Sequence, residues 1–276
     1  MRGSAILFVF LVAAPAQAQD PRDLVRRSIV ADQNGWFRMR DYTWQATYVE
    51  RHFDLHGTVK STKAQKWETL IVDGQSYIRT LERNGKPVSP EDRHREQARL
   101  DQESARLHSE TPAERLHRIE EARTQNAKIW GFLSEIPDLF DLQLEGETTV
   151  AGRGVWVVSG APRAGARPRS REGGMLVKIR GRLWIDKATG QWARVEAETT
   201  GVITWGLFLA RLDSGGKLTF EQTSVSADLL LPSHLLLAGS GRLGVVRRLI
   251  EDQELRWTDY RKFSVDSNMA VDPGNP

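Results

Sequence analysis

The stretch from Met175 to Thr200 constrains this chain more than any other. Met175, Val177, Ile179, Gly181, Leu183 and Ile185 alternate with Leu176, Lys178, Arg180, Arg182, Trp184 and Asp186. That period of two predicts a long strand with one apolar face. Asp186-Lys187-Ala188-Thr189-Gly190 is a turn signal. The alternation then resumes, with Gln191, Ala193, Val195 and Ala197 on the apolar side and Trp192, Arg194, Glu196 and Glu198 on the other. The stretch reads as a β-hairpin.

Its register follows from charge. Matching the faces and setting Arg182 opposite Arg194 would juxtapose like charges, which is unfavourable. A shift of two residues sets Arg182 opposite Glu196, Arg180 opposite Glu198 and Trp184 opposite Arg194. It leaves Ala188-Thr189-Gly190 as a three-residue loop with glycine at the left-handed position. The second register is the predicted one.

The chain opens Met1-Arg2, followed by an apolar run from Ala5 to Ala14 and then Ala16-Gln17-Ala18. This is the pattern of a secretory signal peptide, 1–18, cleaved after Ala18. The run is too short to span a bilayer, and no later stretch is long and apolar enough. An exported, periplasmic protein is expected, soluble and not an integral membrane protein. The chain has no cysteine, so disulfides, thiolate metal sites, a cysteine nucleophile and a lipid-modified cysteine are excluded. Removing Arg2 lowers the formal net charge from +3 to +2, which does not make a nucleic-acid binder.

Pro21 to about Asn34 reads as a helix, with Leu24, Val25, Ile29 and Val30 in its apolar stripe and Asn34-Gly35 as its stop. Tyr42, Trp44, Ala46 and Tyr48 share one face of the next strand. A second strand, bounded by Gly57 and Asp73-Gly74, contains Trp67, Leu70, Ile71 and Val72. Gln75 to Leu81 is a third, closed by Asn84-Gly85. Three strands joined by short turns make a meander.

The composition then turns charged. Ser89-Pro90-Glu91-Asp92 and Thr111-Pro112-Ala113-Glu114 each join a hydroxyl cap, a proline at the first helical position and an acid three residues after the cap. Two helices are predicted, about 90–109 and 112–135, forming a charged insertion over 89–136 that Pro137 closes. The first is mostly solvated, with residues 91–109 projecting outward. The second turns apolar at Ile129, Trp130, Phe132, Leu133 and Ile136, so its end should dock on the sheet. The insertion reads either as a lid over a cavity or as a solvated helical hairpin.

Strands resume at Phe140–Leu144, Glu147–Val150 and Val155–Ser159. Gly160 to Gly174 is a loop carrying Arg163, Arg167, Arg169 and Arg171, read as a solvated loop or as a contact for acidic head groups. Val202 to Ala210 is apolar on both faces and fits a doubly buried strand or a short helix. Further strands follow at Lys217–Val225, from Leu231-Pro232 through Leu237, at Leu243–Trp257 and at Tyr260–Val265. Residues 266–276 are a polar tail expected to be disordered.

No nucleophile elbow, phosphate-binding glycine loop or dinucleotide motif is present. Among the six histidines, His52 and His56 are four apart at the end of a strand, about 13 Å from each other. No catalytic residue, metal ligand or cofactor is predicted, and the chain reads as a binding protein, not an enzyme. Trp184 and Trp192 fall on the polar side of the hairpin, either under helices or as an aromatic surface for an apolar ligand. The candidates for an apolar cavity or its lid are Trp44, Trp130, Phe132, Leu133, Trp184, Trp192, Trp205 and Phe208.

Three segments carry a family resemblance: Glu147 to Val158 (ETTVAGRGVWVV), Gly181-Arg182-Leu183-Trp184-Ile185-Asp186 with Thr189-Gly190, and Leu231-Pro232 with Tyr260-Arg261-Lys262-Phe263. Together they resemble the outer-membrane lipoprotein-sorting superfamily, the LolA/LolB/RseB-like group, over roughly residues 20–265. The resemblance implies an α+β fold: an incomplete antiparallel β-barrel (half-barrel) of about ten or eleven strands, with an N-terminal helix and the helical insertion packed on it. On this reading residues 19–265 form a single domain. It also implies an apolar cavity for acyl chains, and hence a lipid or an acylated protein as partner in envelope biogenesis. The alternative is a cell-envelope protein-interaction or sensor module that uses the charged insertion to contact a protein partner.

Overall fold

The computed structural model describes residues 19–72, 75–205, 210–243 and 247–263. The expected signal peptide, the expected tail and Phe208 lie outside the described residues. No helix among the described residues is long and apolar enough to cross a membrane.

Helix α1 (Pro21–Arg38) starts where Asp20 accepts the Arg22 N–H at 2.9 Å and Pro21 takes the first turn. Leu24, Val25 and Ile29 are its buried stripe. The helix runs past the predicted Asn34-Gly35 stop. Gly35 serves close approach instead: a Cβ there would lie 1.9 Å from the Gln191 side-chain nitrogen.

The sheet is antiparallel throughout. Its strands are β1 (Tyr42–Phe53), β2 (Val59–Val72), β3 (Gln75–Arg83), β4 (Lys86–Pro87), β5 (Phe140–Val150), β6 (Arg153–Pro162), β7 (Ile179–Asp186), β8 (Trp192–Thr199), β9 (Ile203–Trp205), β10 (Ala210–Leu212), β11 (Lys217–Ser226), β12 (Leu229–Leu243) and β13 (Arg247–Lys262). Eleven lie along one path in the order β4-β3-β2-β1-β13-β12-β11-β8-β7-β6-β5, and β9 and β10 branch from β12. The path is not closed into a barrel, so the fold is an α+β half-barrel.

The insertion forms α2 (Pro90–His108) and α3 (Pro112–Leu133). Ser89 caps the first helix, and Thr111 with Glu114 forms a capping box on the second. Leu100 of α2 is buried, so that helix does not simply project outward. Pro137 sits in the first turn of the one-turn helix α4 (Ile136–Leu139). The 163–172 loop is pinned. Arg163 pairs with Asp141 at 3.2 Å, Arg169 pairs with Asp138 at 3.2 Å, and the buried Glu135 accepts the Arg169 and Ser170 N–H groups.

The central hairpin has the predicted pairs Arg180–Glu198, Arg182–Glu196 and Trp184–Arg194. Two details differ from the sequence reading. The strand begins at Ile179, because 173–176 form a helical turn, α5 (Gly173–Leu176). Near the loop the register slips by one, pairing Ile185 with Trp192. Asp186 and Gln191 close a four-residue loop, 187–190, in place of the three-residue one. Gly190 takes φ +74°, the left-handed conformation assigned to it.

Candidate functional site

The slip is a β-bulge at Ala193, and it moves Trp192 to the opposite face from Trp184. The expectation that both share the polar face is therefore corrected. Trp192 is buried with Ile185 and Val158 of the sheet, Leu24, Val25 and Ile29 of α1, and Trp130 of α3. Its indole N–H donates to Ser28 at 3.0 Å, and its backbone N–H, freed from the ladder by the bulge, donates to Asp32 at 3.3 Å. Trp184 lies on the other face, with the Arg194 guanidinium 5.5 Å from its ring centroid.

The remaining candidates divide. Trp130 is buried 6.4 Å from Trp192, centroid to centroid, and Leu133 packs against the same cluster. Phe132 packs against Leu139, Phe140 and Leu176. Trp44 is half-buried at a register break, where Asp259 and Tyr260 of β13 fall opposite it. Asp259 has φ +56°, as the first residue of such a bulge can. Trp205 belongs to β9.

The register lines residues up across the helix-facing side of the sheet. One rung runs Tyr48, Leu255, Leu235, Phe220, Val195, Leu183, Val158 and Leu144. The next runs Glu50, Gln253, Leu237, Leu218, Ala197 and Gly181. A third sets His52 opposite Glu251 and Glu251 opposite Gly239. Over β5 to β8 this face is filled by α1 and the end of α3. Toward β11, β12, β13 and β1 it stays half-exposed, and Leu237 is 37 % exposed.

A cleft of about 470 Å³ occupies this open part. Ile179, Ala197, Ile203, Leu212, Leu218 and Leu237 supply its apolar lining, and Glu198, Arg211, Lys217, Glu251 and Gln253 bring charged and polar groups to it. Leu212 of β10 lies over Gly216 and Gly239, where a Cβ at either would come within 3.2 Å of it. The volume is in the range of small-molecule sites.

Beside Glu251 is a compact polar cluster. His52 Nε2 is 2.5 Å from Glu50 and its Nδ1 is 3.3 Å from Glu251. Lys63 and the Tyr48 hydroxyl donate to Glu50 at 3.1 and 3.0 Å. Burial pushes the Glu50 carboxyl up, but the Lys63, Tyr48 and His52 hydrogen bonds outweigh it and hold it below the usual range. Burial and the adjacent carboxylate push the Tyr48 phenol up to about 12.

The outer face is different in kind. Arg51 pairs with Asp252 and Glu254, Arg194 with Glu221, Arg180 with Glu198 and Arg182 with Glu145. That ladder runs from half-buried pairs around Arg51 to more exposed ones at Arg180 and Arg182. The cleft residues Ile179, Leu218 and Leu237, and the cluster of Glu50, His52 and Glu251, are absent from the sequence-derived candidates. Alternation in Leu218/Phe220 and Leu235/Leu237 was the available signal for the first group. Nothing local joins Glu50 to Glu251.

No protein-family model matches the chain, and no curated protein matches it. Among solved structures it is similar to a domain from Vibrio parahaemolyticus named for outer membrane lipoprotein sorting, at 11 % identity and TM-score 0.33, covering 86 % of this chain and 92 % of that one. It is similar to a LolA superfamily protein from Nitrosomonas europaea, at 10 % identity and TM-score 0.32, covering 90 % and 96 %. It is also similar to a chain of the Pseudomonas aeruginosa MucA/MucB complex, at 12 % identity and TM-score 0.23, covering 89 % and 100 %.

Proposed function

We propose that the protein is a periplasmic binding protein that holds the apolar part of a lipid or an acylated protein in the cleft on the helix-facing side of the sheet. The observation that carries this reading is the contrast between the two faces. One is laced with ion pairs, and the other offers Leu218, Leu237, Ile179 and Ala197 around an open cleft. Each methylene buried there contributes about 0.8 kcal/mol, so a chain of several carbons suffices for useful affinity. The protein acts by binding, not by catalysis.

Native mass spectrometry of the protein extracted from cell envelopes tests the reading, with titration by a fluorescent fatty acid as the second arm. Leu237→Glu places a charge in the cleft at an already exposed position. It is expected to weaken the probe by about tenfold or more while leaving the fold intact. Unchanged affinity in this variant would overturn the assignment.

One observation favours a second reading, an envelope protein-interaction module. Leu116 and Ile119, one turn apart on α3, are 69 % and 37 % exposed amid charged neighbours. Replacing both with Ser and comparing co-purifying proteins distinguishes this reading from the first.

A further inference from the structure

The cluster that meets the cleft at Glu251 has a composition that lipid binding does not require. Glu50, His52 and Glu251 each offer one ligand atom, and these atoms lie within 4.8 Å of one another. It is the one such group of three found among the described residues. Two adjacent strands hold it: Glu50 and His52 share a face of β1, and Glu251 is the cross-strand partner of His52 on β13. Rigid strands hold ligands more tightly than loops do.

We infer that Glu50, His52 and Glu251 form a three-ligand site for one divalent transition-metal ion, with zinc the natural occupant. Imidazole and carboxylate are zinc donors, and ligands about 2.1 Å from a tetrahedral ion stand roughly 3.4 Å apart. The separation of 3.3 Å between His52 Nδ1 and Glu251 already meets that spacing; Glu50 now sits on the other ring nitrogen, Nε2, and joins the site by turning toward Nδ1, the three ligand atoms lying within 4.8 Å of one another. The competing group is Lys63, whose side chain is 63 % exposed and free to swing into water. The Tyr48 hydroxyl would remain on Glu50 as the outer partner that orients a ligating carboxylate. Three protein ligands would leave a fourth position for water or another ligand, and Glu251 is the member of the group that also lines the cleft.

The site stands independently of the lipid reading and is tested by metal alone. The untagged mature protein, stripped with chelator, is titrated with zinc chloride by calorimetry and with cobalt(II) by visible absorption. One saturable site is expected. His52→Ala and Glu251→Gln should each weaken it by about tenfold or more, with circular dichroism confirming the fold. His234→Ala is the control, since His234 bridges Glu221 and Glu254 at 3.5 and 3.1 Å without belonging to this group. No saturable binding up to millimolar zinc, or binding that survives His52→Ala, overturns the inference.

Discussion

Gly35 of α1 rests directly on the side-chain amide of Gln191, so closely that a Cβ at 35 would lie 1.9 Å from Nε2 and 2.8 Å from Cδ. The amide cannot retreat. It donates to the Leu230 carbonyl at 3.0 Å and accepts the Leu230 N–H at 2.8 Å, completing a backbone-like pair in a buried position. Gly35→Ala is therefore expected to destabilise the fold by about 2 kcal/mol or more, although alanine is the better helix former. Gln191→Ala leaves two buried backbone groups unpaired, at about 1–3 kcal/mol each. The double variant should cost less than the sum, since the clash vanishes with the amide. Urea midpoints for the wild type, both single variants and the double check this, and strict additivity would refute it.

Asp32 gives a dependence on pH. Burial pushes its carboxyl up to about 7, against the opposing hydrogen bonds from Gln222 and the Trp192 N–H. The native state therefore keeps a proton that the unfolded chain loses near about pH 4. Stability from this group falls as pH rises between about 4 and 7, by up to about 1.4 kcal/mol per pH unit. Asp32→Asn keeps the accepting oxygen and removes the titration. The variant should gain on the wild type as pH rises from about 5 to 8. Parallel stability curves for the two proteins would contradict the assignment.

How much of this was legible in the sequence depends on distance along the chain. The charges of Arg180, Arg182, Glu196 and Glu198 determined the hairpin register, because cross-strand neighbours there are close in sequence. The bulge at Ala193 was hidden, since alternation alone cannot show an extra residue, and it reversed the face of Trp192. Gly35 read as a helix stop because the same residue type serves both a stop and a close contact. The polar cluster was not legible at all: Glu50 and Glu251 lie on opposite ends of the chain and meet only because β1 pairs with β13.

Arg153 and Asp186 form a second buried electrostatic contact, bidentate at 2.7 and 2.9 Å, with the carboxylate 1 % exposed. Burial pushes the Asp186 carboxyl up, but the Arg153 and Thr189 hydrogen bonds outweigh it and hold it below the usual range. Its contribution is thus present above about pH 4 and lost as pH falls further. Arg153→Ala strands a buried charge and should cost about 3–5 kcal/mol near neutral pH. The deficit should shrink in acid, as the unfolded-state pKa is passed and the stranded carboxyl takes a proton. A deficit that stays constant from neutral pH down to about pH 3 would sink this account.

Trp130 separates core from binding surface. It is 8 % exposed and packs against Trp192 with rings tilted by 50°. Trp130→Ala should cost about 3–5 kcal/mol through the cavity it leaves. The affinity of the remaining folded protein for the fatty-acid probe should change little, because Trp130 is absent from the cleft lining. Leu237→Glu should do the reverse, sparing stability and removing the probe. Trp192→Phe supplies a milder case: it keeps most of the packing and loses the bond to Ser28, at about 1 kcal/mol. Stability by urea and affinity by fluorescence are measured on the same samples. If Trp130→Ala left stability unchanged but altered probe uptake, the end of α3 would be a mobile lid and not part of the core.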